Sequence, residues 1–218
     1  MAQSSTAKQM DEPLAELPSK RRQFDGGEPP VRANTPVGAN AWLAVWMFIG
    51  AEAMFFAGLI GAFLVFRLSA ASWPPPFQPR LPTGVTGINT LILLLSAVTM
   101  RRSLAFVRAA NLIRALRCLG ATVILGTLFL AVQGYEWVQL IRFGLTVSSS
   151  VYGGLFYTLI GFHGLHVFGA LICLLVVFAR ARKGRYTAQR HVGLQICAMF
   201  WTFVVALWPV LYGLVYLY

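Results

Sequence analysis

Two carboxylates and two histidines set the chemical possibilities of this 218-residue chain. Beyond residue 28 its only acids are Glu52 and Glu136, and both fall inside long apolar runs. His163 and His166 lie three residues apart in another such run, so a helix carries them on one face. Carboxyl and imidazole groups of this kind can relay protons, hydrogen-bond across helices, or ligate a metal. A charge at the centre of a bilayer costs at least about 2.5 kcal/mol. Each buried group is therefore expected to be neutral, paired, or turned toward protein.

Depth along a helix sorts the candidates. Glu52 is eleven residues into its apolar run, roughly 16 Å from the edge at the helical rise, with Phe48, Phe55 and Phe56 at helical spacing around it. Two compatible readings follow: a proton-relay or lipid-site carboxyl, and a protonated glutamate hydrogen-bonded between helices. Glu136, between Tyr135 and Trp137, is roughly 9 Å from the opposite edge, where a structural hydrogen bond near the headgroups is favoured over chemistry. A tetrahedral metal site needs more ligands than two histidines supply. A bis-histidine haem needs its axial ligands on opposite faces, which a three-residue spacing does not give. His166 lies roughly 20 Å from the edge, counting back from Arg180, a depth close to that of Glu52. This depth match predicts a Glu52–His166 contact. No phosphate-cradling glycine loop, nucleophile elbow or metalloprotease motif is present.

The elements that position these groups are readable from hydropathy. Hydrophobic residues make up 57% of the chain and charged residues 11%, against roughly a quarter charged in soluble domains. The apolar residues come as five runs, at about 41–66, 86–107, 116–141, 151–179 and 192–217. Each has about 20 residues or more, enough to cross a hydrocarbon layer of about 30 Å as a helix. The alternation of a membrane barrel is absent. The predicted fold is an all-α bundle of five transmembrane helices over residues 41–218, preceded by a polar tail, residues 1–40. That tail holds Pro, Gly, Ser and five of the seven acids, and it cannot bury enough apolar surface to fold alone. Pro74, Pro75 and Pro76 end the first hairpin.

The net charge of +11 does not mark a nucleic-acid binder, because the basic residues are clustered between apolar runs. Five lie in the tail, five around Arg101–Arg117 and five around Arg180–Arg190, whereas the alternate loops hold only Arg67, Arg80 and Arg142. By the positive-inside rule the tail is cytoplasmic and the C-terminus outside. Trp42, Trp73, Trp137, Tyr212 and Tyr218 stand near the ends of the runs, as interfacial aromatics do. Cys118, Cys173 and Cys197 lack zinc-site spacing and read as buried thiols. Gly161, Gly164 and Gly169 beside the histidines are expected to allow close helix approach.

Several segments resemble haem–copper oxidase subunit III. Phe48-Ile49-Gly50-Ala51-Glu52-Ala53-Met54-Phe55-Phe56-Ala57-Gly58 resembles that family's glutamate-bearing helix. Gly87-Ile88-Asn89-Thr90-Leu91-Ile92-Leu93-Leu94 resembles its next helix start, and Gln133-Gly134-Tyr135-Glu136-Trp137 its Gln-x-x-Glu-Tyr segment. The run Val151-Tyr152-Gly153-Gly154-Leu155-Phe156-Tyr157, continuing into Gly161-Phe162-His163-Gly164-Leu165-His166-Val167, is close to a family signature. The resemblance implies a five-helix form without the two N-terminal helices of the longer version. It implies a non-catalytic subunit that binds no haem or copper itself, those groups being held by partner subunits. It would pack on subunit I, sit with subunit II and further small subunits, hold phospholipid, and support proton uptake for oxygen reduction coupled to proton translocation. Its expected location is the bacterial plasma membrane. On the same basis Glu52 matches the family's buried, carbodiimide-sensitive carboxyl, and Arg180 a position that contacts a lipid phosphate.

The last run departs from the family's usual Tyr-Trp-His-Phe-Val-Asp. Here Phe200-Trp201-Thr202-Phe203-Val204-Val205 stands in its place, and a usual Glu is Gln195. Two other functions remain open from sequence: an accessory subunit of nitric oxide reductase, and a secondary transporter using Glu52 as its proton site. Against the transporter, five runs do not divide into equal halves and no midplane break appears.

Overall fold

A computed structural model describes residues 36–73, 83–187 and 191–217. The polar tail before residue 36 lies outside these, as do Pro74–Pro76, Arg80, Arg190 and Tyr218. Five α-helices follow one another: α1 (Pro36–Ser69), α2 (Thr83–Arg108), α3 (Leu112–Arg142), α4 (Val151–Arg182) and α5 (Val192–Tyr212). A π-helical turn, Gly213–Leu217, extends α5, so the fifth span runs to Leu217. All five are long and apolar enough to cross a membrane, and no strand occurs among the described residues.

Four of the helices overrun the apolar stretches that predict them. α1 begins at Pro36, five residues before the run, where a proline at the first turn loses no intrahelical hydrogen bond. α3 begins at Leu112 because Asn111 caps it, its side-chain oxygen accepting from the Arg114 N–H at 3.2 Å. At the other end of the bundle Ser150 caps α4 by accepting from the Gly153 N–H at 3.1 Å. α2 and α3 are joined through Ala109, Ala110 and Asn111 alone, with Ala110 at a left-handed φ of 56°. So short a connection forces the pair antiparallel, and it is the most extensively packed pair in the bundle.

In lipid, apolar surface does not drive helices together, so small and polar residues must. α2 supplies them. Thr86, Asn89, Thr90, Leu93, Ser96, Met100, Ser103 and Val107 are buried at helical spacing, a stripe in which five of eight are polar. Asn89 Nδ2 donates to the Phe129 carbonyl on α3 at 3.1 Å, and Ser103 Oγ to the Ala115 carbonyl at 3.0 Å. Toward α5 the donors are indoles: Trp201 Nε1 to Ser96 Oγ at 3.1 Å, and Trp208 Nε1 to Thr90 Oγ1 at 2.8 Å. Both tryptophans are fully buried.

α1 is the least buried span and packs on α4 and α5. At its far end Arg67 Nη1 donates to the Leu214 carbonyl of the π turn at 2.9 Å. Pro209, which lacks an N–H, precedes that turn.

Gly126 on α3 lies against Trp201. A Cβ there would stand 2.6 Å from the indole edge and 3.4 Å from Leu171. Gly126→Ala is therefore expected to overpack the core and destabilise the bundle by about 1–3 kcal/mol, read as a lower thermal midpoint in detergent. An unchanged midpoint would mean that Trp201 moves at no cost.

Candidate functional site

The predicted contact between the first and fourth spans is present. Glu52 Oε2 on α1 lies 2.8 Å from His166 Nε2 on α4, both side chains being mostly buried. Phe55 and Phe56 flank the imidazole, with ring centroids 6.4 and 5.2 Å away. Phe55 also packs edge-on against Phe162 at 5.2 Å.

The other imidazole nitrogen fixes the proton inventory. His166 Nδ1 is 2.7 Å from the Phe162 carbonyl, one turn back on the same helix. A carbonyl only accepts, so Nδ1 carries hydrogen. The Glu52–His166 contact then holds a single proton. Either the carboxyl donates to a neutral ring, or a doubly protonated ring donates to a carboxylate. The pair is neutral overall in both arrangements, which is what a membrane interior requires.

Glu136 sits in a separate cluster. Thr86 Oγ1 lies 3.1 and 3.0 Å from its two carboxyl oxygens. Gln133 Nε2 donates to Oε2 at 3.3 Å and to the Tyr216 hydroxyl oxygen at 3.3 Å. The cluster ties α3 to α2 and to the π turn. Its partners Thr86 and Tyr216 are distant in sequence and no spacing rule joins them to Glu136. Only the Gln133–Glu136 spacing of three residues gave a local signal.

The histidines share a face of α4 but not an environment. His166 meets α1, whereas His163 is fully buried, stacked on Trp208 of α5 at 5.0 Å and 25°. Among the flanking glycines only Gly164 makes a close approach, with a Cβ there falling 2.9 Å from Trp137. Gly161 and Gly169 face open space, contrary to the expectation that all three admit a neighbouring helix. Their spacing carries no sign of which side is occupied.

Arg180 ends α4 on the same side of the bundle as Arg101, Arg108 and Arg114. It hydrogen-bonds Tyr186, whose phenol is pushed above its ordinary value by burial, with Arg180 opposing the shift. In the altered last helix Gln195 Nε2 lies 2.9 Å from His191 Nε2, and Val205 is buried in the core. Among the described residues no group of three or more His, Cys, Asp or Glu side chains is placed to hold a metal ion.

The family model for cytochrome c oxidase subunit III matches residues 32–218, the whole helical bundle. The chain belongs to the cytochrome c oxidase subunit III family. A Synechocystis protein named cytochrome c oxidase subunit 3 is 37% identical over 174 residues, covering 79% of this chain and 73% of that one. A Mycobacterium leprae protein named probable cytochrome c oxidase subunit 3 is 33% identical over 184 residues, covering 84% and 89%. A Bacillus subtilis cytochrome c oxidase subunit 3 is 33% identical over 184 residues, covering 83% and 87%. With its five apolar helices, this subunit III chain is an integral membrane protein and a subunit of a haem–copper oxidase complex.

The one-proton contact gives two contrasting variants. Glu52→Gln keeps a donor facing His166 Nε2 and is expected to assemble normally. Glu52→Ala leaves that nitrogen unpaired, which costs about 1–3 kcal/mol and should lower the thermal midpoint and yield of the purified complex. Failure of Glu52→Gln to assemble would identify an ionised pair. By the same reasoning Glu136→Ala, which removes the acceptor that Thr86 and Gln133 share, is expected to destabilise by about 1–3 kcal/mol and more than Glu136→Gln. Equal midpoints for the two Glu136 variants would count against that cluster as a structural tie.

Proposed function

We propose that this subunit is the non-catalytic subunit III of a respiratory terminal oxidase that reduces oxygen to water and translocates protons. It packs on subunit I, with haem and copper held by the partner subunits and subunit II completing the complex. The family match across the whole bundle carries this reading. The Glu52–His166 pair serves as a neutral hydrogen bond that docks α1 onto α4, and it supports sustained proton uptake by keeping that helix in place. Arg180 contributes to phospholipid binding at the basic end. The tail and the basic loops face the cytoplasm, and the membrane is the bacterial plasma membrane, as the distribution of Lys and Arg supports.

A groove of about 520 Å³ between α1, α2 and α5 supports the lipid part of the reading. Its walls include Trp42, Trp46, Ile49 and Phe203, and Arg101 and Arg108 line it two turns apart on α2. Apolar walls beneath two guanidinium groups suit an anionic phospholipid, each basic side chain contributing about 1 kcal/mol near an anionic surface.

Purification from native membranes in mild detergent tests the function. The expected preparation contains a haem-bearing catalytic subunit and consumes oxygen with proton release. Consumption of nitric oxide without proton pumping would instead assign the chain to a nitric oxide reductase. An isolated, haem-free homo-oligomer would overturn the oxidase reading. Within the oxidase, replacing Arg101 and Arg108 together by Gln is expected to reduce the anionic phospholipid that copurifies, measured by lipid mass spectrometry. Retention of the full lipid complement would remove the groove from the lipid assignment.

A further inference from the structure

A second cavity, of about 210 Å³, lies among α3, α4 and α5, lined by Gln133, Gly134, Trp137, His163, Gly164 and Trp208 together with neighbouring apolar side chains. Its position is deep in the span, with His163 twelve residues from the start of α4 and Gln133 nine from the end of α3. Three of the lining residues carry buried polar atoms without a hydrogen-bond partner among the described residues: both ring nitrogens of His163, Gln133 Oε1 and Trp137 Nε1. His163 and Gln133 are almost completely buried, at 1% and 2% exposure.

These atoms form a complementary set. A neutral imidazole offers one donor and one acceptor, the Gln133 carbonyl an acceptor, and the indole a donor. No two of them bond each other, and the three residues that carry them line one cavity. A lipid chain entering that space would leave all four unpaired, which buried polar groups rarely tolerate. Water satisfies donors and acceptors at once and needs two to four polar partners; at roughly 30 Å³ per molecule a cavity of about 210 Å³ holds about seven, and the four unpaired polar atoms can anchor the first one or two of them.

We propose that the cavity among α3, α4 and α5 is a buried water site in which ordered waters bridge His163, Gln133 and Trp137. Through Gln133 the waters join the Glu136–Thr86–Tyr216 cluster, so that the network on α2 and α3 extends to α4. On the other side the network stops. The Phe56 ring stands against both imidazoles, 6.3 Å from His163 and 5.2 Å from His166. The site is therefore a hydrated dead end, and it does not connect Glu136 with Glu52. This inference concerns the interior of the chain and stands apart from the assignment of its partners.

High-resolution electron cryomicroscopy of the native complex purified through this chain, in lipid nanodiscs, tests it. The expected map shows separate density peaks in the cavity, at least one within about 3 Å of a His163 ring nitrogen and one equally near Gln133 Oε1. Gly134 lines the cavity and a Cβ there would meet nothing within 4 Å, so Gly134→Leu adds bulk at the cavity wall without a clash at the Cβ. The peaks are then expected to disappear from an assembled complex. Continuous tail-like density in the wild-type cavity, a wild-type cavity without discrete peaks, or peaks unchanged in Gly134→Leu would each overturn the proposal. The wild-type map decides even where the variant does not assemble.

Discussion

The bundle depends on the inward polar stripe of α2. In a hydrocarbon solvent, helices gain nothing by hiding leucine from lipid, so a specific arrangement has to come from close packing and from polar groups that cannot be satisfied elsewhere. Asn89 and Ser103 bond backbone carbonyls of α3, while Thr90 and Ser96 receive the two indole N–H groups of α5. One helix thereby fixes the positions of two others. α5 makes these contacts through Trp201 and Trp208, whose large apolar bodies fill the core while their N–H groups reach α2.

α1 is attached differently. It has no comparable stripe, exposes much of its apolar surface, and is held to the bundle by the Glu52–His166 contact, by aromatic rings around it, and by Arg67 at the π turn. A single shared proton and a few ring contacts replace the ladder of hydroxyl bonds that secures α2. The two carboxyls thus have different uses. Glu136 is saturated by donors within a closely packed pair, whereas Glu52 stands at a joint between a loosely packed helix and the rest.

Much of this was legible beforehand, for physical reasons that can be named. The five spans follow from hydropathy, because lipid leaves a chain few alternatives to a helix. The Glu52–His166 contact follows from depth alone, since the membrane gives each helix a common coordinate. Depth does not give azimuth. The two histidines share a helical face, yet nothing local separates the one that reaches α1 from the one that stacks on α5. Nor does anything local show that Gly164 meets Trp137 while Gly161 and Gly169 meet nothing. Thr86 and Tyr216 were invisible as partners of Glu136 because hydroxyl groups are common in such helices and their pairing is tertiary. α3 begins before its apolar run because the cap at Asn111, rather than hydropathy, decides where that helix starts, whereas α4 begins where its run does, at the residue after the Ser150 cap.

The placement of α1 has a consequence for biogenesis. Chains insert as they are made, N-terminal spans first, at about 5–20 residues per second. α2 and α3 are neighbours in sequence and can pair at once, but His166 emerges more than a hundred residues after Glu52. For a period on the order of ten seconds at that synthesis rate, α1 resides in the bilayer before its docking partner exists. A glutamate crossing the translocon into lipid during this interval is best tolerated with its proton on. The proton later shared with His166 would then be acquired at insertion, and the joint between α1 and α4 would be charge-balanced from the moment it forms.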